Sequence, residues 1–219
     1  MKVLVTCARR YNGHELWTSL GVMTRRGHHF EVVSQDTIIR DEITLRPNTI
    51  DRVVYSVGTA ELADKFDAMI VVSGNMSDTV KYWTDDHVLA LVNKIEELER
   101  PLAAICCSVP TVRFAAKGKK VSFFPLIRSK KLLRDAGAIL NPVSITADQN
   151  LITAEHQMGT QRWANAFCDM LDGNEPRVGL FPSNFPDPSR ERRPVEAIER
   201  LKRPSERTAI RIPKAIKFP

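Results

Sequence analysis

Pro101-Leu-Ala-Ala-Ile-Cys-Cys-Ser-Val-Pro110 changes character at its midpoint, and that change decides how the rest of the chain is read. Leu102 to Ile105 has the length and apolarity of a buried strand. Cys106 ends the apolar run, and Ser108 to Ala116 reads as a helix opening at once, with Pro110 in its first turn where a missing N–H costs nothing. A strand feeding a helix through almost no loop makes a sharp turn. Such a turn exposes its central side chain at the strand's carboxyl end, over backbone N–H groups and the positive end of the helix dipole, a setting that favours thiolate over thiol. Cys106 is therefore the candidate nucleophile. The alternative open at this point is that Cys106 and Cys107 are two small buried hydrophobes.

Toward the N-terminus, the expectation is a helix over Asp85 to Leu98, capped by Thr84, with Val88, Leu91, Val92 and Ile95 facing inward. Asp67 to Val72 is a buried strand, and Ser73-Gly74-Asn75 after it is a turn in which a backbone oxyanion donor could sit. Short elements are expected at Ile43 to Leu45 (strand) and Thr59 to Lys65 (helix). The chain opens with an apolar strand, Lys2 to Cys7, then a helix with Leu16, Leu20 and Met23 on one face, ended by Gly27, then a strand from His28 to Ser34. This is β-α-β, the unit of a parallel sheet. Glu15 lies in the first turn of that helix, and in a doubly wound sheet the strand ends line one crevice, which could bring Glu15 near Cys106. The competing role for Glu15 is to complement the helix dipole.

Toward the C-terminus, Lys120 to Ser122 and Ala138 to Leu140 read as short strands flanking a basic helix. Val143 to Ala147 and Leu151 to Ala154 read as a hairpin turning at Asp148-Gln-Asn150. Thr160 to Leu171 carries Trp163, Phe167, Met170 and Leu171 at helical spacing, a core face in which Cys168 is inert. Residues 174–219 hold 8 of the 13 prolines, and 11 Lys/Arg against 6 Asp/Glu, so this stretch supplies five of the net charge of +6. The division expected is an α/β domain over 1–173 and a basic, proline-rich extension over 174–219. The extension is expected to hold a short helix near Pro194 to Lys202 and a final segment of alternating apolar and basic residues suited to an extended strand on a partner.

The nearly neutral body argues against a nucleic-acid-binding domain. Met-Lys-Val-Leu-Val at the start reads as a strand rather than a signal sequence, and no apolar run approaches the length of a membrane span. Cys7, Cys106, Cys107 and Cys168 lack paired zinc-type spacing and are too few for a disulfide framework. The expectation is a cytoplasmic protein with no metal, no cofactor and no membrane partner.

Residues 1–173 resemble the ThiJ/PfpI family of the class I glutamine amidotransferase-like superfamily. Ala103-Ala-Ile-Cys106 with the following helix is similar to the family's Ala-Ile-Cys-His-Gly elbow. Glu15-Leu16, with Gly21-Val-Met-Thr-Arg-Arg-Gly27 behind it, is similar to the segment carrying the family's thiol-bonding glutamate. Phe66-Asp-Ala-Met-Ile-Val-Val-Ser-Gly74 is similar to the strand ending in the family's Pro-Gly-Gly, and Asp86 to Val92 and Leu151-Ile-Thr153 match further signatures. The resemblance implies a flavodoxin-like, mostly parallel sheet flanked by helices. It also implies Cys106 as nucleophile, Glu15 as its proton partner, and an oxyanion pocket from the N–H groups of Gly74 and Cys107 beside Asn75. Dimers or larger homo-oligomers are common among family members.

The departures are specific. Cys107 and Ser108 stand where the peptidase branch has histidine and glycine, Phe124-Pro125 where another branch has histidine before proline, and Ser73 where the family has its first turn glycine. The loop after the last strand reads Ala-Glu-His-Gln-Met-Gly159. There His156 is a candidate base, oriented by Glu155 or Glu15. His14 is a weaker candidate, and Cys7 or Cys107 could form a redox or metal pair with Cys106. Three functions follow. The first is a cysteine-dependent enzyme acting on a small carbonyl or amide substrate, with glyoxalase, deglycase or hydrolase-like chemistry. The second is a non-catalytic redox-sensing or binding module whose tail takes a protein partner, and the third is a glutamine amidotransferase-like amidohydrolase.

Overall fold

Alternation along the central strands explains the architecture. In the strand Ala68–Val72, every residue is buried, with Ile70 and Val72 packed into one apolar cluster and Met69 and Val71 into another. A strand whose successive side chains point to opposite faces needs cover on both sides. The computed structural model, which describes residues 1–49, 52–53 and 59–178, supplies that cover.

The chain begins with β1 (Lys2–Cys7), β2 (Arg10–Tyr11), α1 (Gly13–Arg25), β3 (His29–Ser34), β4 (Ile38–Asp41), β5 (Pro47–Thr49) and β6 (Arg52–Val53). It continues through α2 (Thr59–Asp64), β7 (Ala68–Val72), α3 (Met76–Tyr82), α4 (Asp86–Glu97) and β8 (Leu102–Ile105). After a 3-10 turn over Cys106–Val112 come β9 (Lys120–Val121), α5 (Ile127–Asp135), β10 (Ile139–Leu140), β11 (Ile145–Asp148), β12 (Leu151–Ala154) and α6 (Thr160–Leu171). The main sheet runs β11-β12-β8-β7-β1-β3-β6 and is parallel except for the β11–β12 hairpin. One face is covered by Leu16, Leu20 and Met23 of α1 with Trp163 and Phe167 of α6, the other by Val88, Leu91, Val92 and Ile95 of α4. This is the doubly wound α/β fold that the alternating pattern implies.

The differences from expectation are local. Ile43 to Leu45 is not a strand but the turn of the β4–β5 hairpin, because Asp41 Oδ1 accepts from the N–H groups of Ile43 and Thr44 and so closes an Asx turn. The α4 cap is Asp85, whose Oδ1 accepts from Val88 N–H at 2.9 Å, while Thr84 Oγ1 donates back to Lys81 C=O. α3 was not expected; Asn75 caps it. The helix expected over Ser108 to Ala116 is instead a tight 3-10 turn beginning at Cys106 itself. Pro110 lies inside it, with no N–H to give to an α-helical ladder.

Beyond α6, Arg177 pairs with Asp169 at 3.2 Å and Val178 packs on the α1/α6 cluster. The expected helix near 194–202 and the terminal segment lie outside the described residues. Among the described residues no helix is long and apolar enough to cross a membrane.

Candidate active site

Strand register puts the chemistry in one row. Cys7 of β1 pairs with Val72 of β7, Val71 of β7 with Ala104 of β8, and Ala154 of β12 with Ile105 of β8. These four strands are parallel neighbours, so the residues that leave their carboxyl ends converge: the loop from Ala8 to Asn12, Ser73 to Asn75, Cys106 and Cys107, and Glu155 and His156.

Cys106 has φ +57°, a left-handed conformation that a non-glycine residue adopts at a cost of about 1–2 kcal/mol. Ser108 holds the elbow in place: its hydroxyl accepts from Ile105 N–H at 3.0 Å and lies 2.7 Å from the carbonyls of both Val71 and Ile105. The departure from glycine at this position is thus a hydroxyl that ties the elbow to the neighbouring strand. Trp83 Nε1 donates to Cys107 C=O at 2.8 Å and secures the other side of the turn. The Cys106 side chain remains slightly accessible, 9% exposed, with Cys107 at 6%.

Glu15 is fully buried. Its position follows from Asn12, whose Oδ1 caps α1 by accepting from Glu15 N–H at 3.0 Å, while Asn12 N–H donates to Ser73 C=O at 2.9 Å. Ser73 then donates to Glu15 Oε2 through both its N–H, at 2.9 Å, and its hydroxyl, at 2.7 Å. Oε1 is buried with no hydrogen-bond partner among the described residues. Burial first, and the neighbouring Cys106 sulfur second, push this carboxyl well above the ordinary carboxylate range, against the pull of the two Ser73 bonds. The balance favours the protonated form of Glu15.

Cys106 departs from the thiolate expected at a helix N-terminus. The Cys107 thiol lies 3.6 Å away, sulfur to sulfur, and that neighbour, followed by burial, pushes the Cys106 thiol up. Cys107 N–H and Ser73 pull the other way and are outweighed. The helix-dipole argument fails here because a short 3-10 helix of seven residues lacks the aligned peptides of a long α-helix, while burial acts in full.

The turn expected to offer oxyanion donors is already occupied. Gly74 N–H donates to Thr79 Oγ1 at 3.0 Å, Asn75 N–H to Arg10 C=O at 2.7 Å, and Asn75 Oδ1 accepts from Ser77 to cap α3. Gly74 is required for close approach: a Cβ there would lie 2.0 Å from Arg10 C=O. Cys107 N–H is near enough to the Cys106 sulfur to draw its thiol down against burial.

His156 is half-buried, stacked on Phe124 at 5.9 Å between ring centroids, and its Nδ1 accepts from Met158 N–H at 3.2 Å. With Nδ1 engaged by Met158 N–H, that nitrogen is not available to take a proton from Cys106 in this arrangement. His14 is exposed on α1, away from buried Glu15. Cys7 is fully buried in β1 and its thiol is pushed up to about 12, and burial takes Cys168 in α6 to about 11. Among the described residues no group of three or more His, Cys, Asp or Glu could hold a metal ion.

Sequence reading missed a polar bridge over the site. Asn12 Nδ2 donates to Glu42 Oε1 at 2.8 Å and to Gln157 Oε1, tying the β4–β5 hairpin and the loop after β12 to the Glu15 segment. The Asn12-Gly13 pair before an apolar helix was the available signal, as an N-cap; its other partners lie far away in the chain.

The profile of the DJ-1/PfpI family matches residues 1–170. The chain belongs to the DJ-1/PfpI family. Among curated relatives, an uncharacterized protein of Methanocaldococcus jannaschii is 27% identical over 159 residues, covering 70% of this chain and 74% of that one. Solved structures agree in fold. A ThiJ/PfpI domain protein from Brachyspira murdochii superimposes with TM-score 0.70 at 18% identity, over 78% of this chain and 96% of that chain. A putative protease I from Bacteroides thetaiotaomicron gives 0.69 at 18% identity, over 78% and 98%. Schizosaccharomyces pombe DJ-1 gives 0.67 at 15% identity, over 78% and 92%.

Proposed function

We propose that this DJ-1/PfpI chain is a cysteine-dependent enzyme acting on a small carbonyl or amide substrate, with Cys106 as nucleophile and Glu15 as its proton partner. The observation that carries the proposal is the Glu15 carboxyl, buried, held twice by Ser73 and shifted toward its protonated form by burial, beside a thiol on a strained elbow. Both groups are pushed toward their uncharged forms, so the addition they favour creates no net charge. Cys106 Sγ bonds to the carbonyl carbon, Glu15 gives its proton to the carbonyl oxygen, and the thiol proton replaces it on the carboxyl. Cys107 N–H is the backbone donor beside the reacting sulfur, whereas Gly74 N–H would have to leave Thr79 before it could serve.

Turnover of small aldehydes and simple amides by the wild type, Cys106→Ser and Glu15→Gln tests this reading. Cys106→Ser should abolish turnover and Glu15→Gln should lower kcat by about a hundredfold or more. Turnover that survives Cys106→Ser, or none by the wild type on either substrate class, would overturn it.

A further inference from the structure

The Cys106–Cys107 pair is more than a nucleophile with an apolar neighbour. The two sulfurs approach to 3.6 Å across adjacent residues, and their backbone is clamped by the Ser108 hydroxyl on one side and Trp83 Nε1 on the other. The turn therefore holds the two thiols together, and the Cys107 side chain makes its sulfur contact with Cys106. At 9% and 6% exposure the pair admits a small oxidant, while a thiol on another protein would be excluded by bulk. Cys7 and Cys168 are fully buried.

We propose that Cys107 is a resolving thiol, so that oxidation of Cys106 by a hydroperoxide ends in a reversible Cys106–Cys107 disulfide. In the first step the Cys106 thiol gives up its proton to the departing oxygen as its Sγ attacks the terminal oxygen of the hydroperoxide. The O–O bond breaks, the alcohol or water leaves with a proton, and Cys106 becomes a sulfenic acid. Cys107 Sγ then attacks Cys106 Sγ. The S–S bond forms as the S–O bond breaks, and the hydroxide leaves as water with the Cys107 proton. One dithiol and one hydroperoxide thus give one disulfide, one alcohol or water, and one further water. Neighbouring Cα atoms across a trans peptide are about 3.8 Å apart, below the usual disulfide range of about 4.4–6.8 Å, so the product is strained and readily reduced. The consequence is a nucleophile that is switched off by oxidant, restored by thiol, and kept from irreversible over-oxidation.

This inference uses the reactivity of Cys106 but not the carbonyl chemistry proposed above, and mass is its readout, so the two can fail separately. The experiment is a hydrogen peroxide titration of the full chain at about pH 8, with alkylation of remaining thiols, trypsin digestion and mass spectrometry. Trypsin leaves both cysteines on one peptide, 95–113, because Arg100 precedes Pro101. The wild type should give this peptide lighter by two hydrogens, unalkylated, and regenerated by dithiothreitol. Cys107→Ala and Cys107→Ser, each checked for native circular dichroism, should instead give a dimedone-reactive Cys106. They should also accumulate the doubly oxygenated peptide about tenfold faster than the wild type. Over-oxidation of wild-type Cys106 at the rate of the variants, a disulfide mapped to Cys7, Cys168 or a second molecule, or an unreactive Cys106 would overturn the proposal. If only one Cys107 variant folds, that variant decides.

Discussion

Ser73 donates twice to one oxygen of Glu15, through its N–H at 2.9 Å and its hydroxyl at 2.7 Å, and the two residues are 58 positions apart in sequence. The hydroxyl bond is the larger of the two influences drawing the Glu15 carboxyl down against burial. Ser73→Ala should therefore push Glu15 higher still while leaving the N–H bond in place. The loss of one buried hydrogen bond costs about 1 kcal/mol, which for a body of this size is a fall in Tm of about 2–4 °C. Thermal unfolding of the variant beside the wild type checks it.

Glu15→Gln should stabilise the protein at neutral pH. The folded carboxyl titrates well above its unfolded value of about 4.3, so the folded state binds more protons than the unfolded state between those two points. Stability then falls as pH rises through that window. Glutamine cannot lose a proton and escapes the loss. The Tm of Glu15→Gln should exceed that of the wild type near pH 8, and the two should converge below about pH 4. Equal Tm values at both pH values would mean that Glu15 is not a neutral buried acid.

Cys107 is the largest influence raising the Cys106 thiol. Cys107→Ala should shift the pH midpoint of Cys106 alkylation by iodoacetamide downward while leaving it above that of an exposed thiol, because burial remains. Fragment mass spectrometry over a pH series reads this directly. A midpoint unmoved by the substitution would assign the shift to burial alone.

Gly74→Ala should damage the site without removing a polar group. The added Cβ would stand 2.0 Å from Arg10 C=O and 2.6 Å from Tyr11 Cα, both backbone atoms, so the Ser73–Asn75 turn must move away from the loop after β1. A cost of about 1–3 kcal/mol is expected for such overpacking, with turnover falling further than stability because Ser73 moves with the turn. Circular dichroism melts and activity together separate the two effects.

Asp67 to Val72, Leu102 to Ile105 and Leu151 to Ala154 were legible as strands because their apolar runs require burial on both faces, wherever the partners come from. α1, α4 and α6 were legible from apolar spacing, and Cys106 from the abrupt end of a strand. α3 was hidden because it is only seven residues long and two of the three residues it buries, Asp78 and Thr79, are polar, and its cap, Asn75, read equally well as a turn residue. Ser73 and Ser108 looked like losses of family glycines. In the fold the Ser73 hydroxyl ties the end of β7 to Glu15 of α1, and the Ser108 hydroxyl ties the elbow to β7.

The sequence by itself determined the main strands, the helices α1, α4 and α6, the parallel sheet and the two residues, Cys106 and Glu15, that reach its carboxyl edge. Periodicity and chain breaks are local, and the rules that read them need only neighbouring residues. The charge state of the site was decided only by tertiary structure. Whether Glu15 holds its proton depends on what surrounds it, and Ser73, Glu42 and Cys106 arrive from three different segments. The direction of the Cys106 shift likewise rests on burial and on a 3.6 Å sulfur contact set by the geometry of one strained turn.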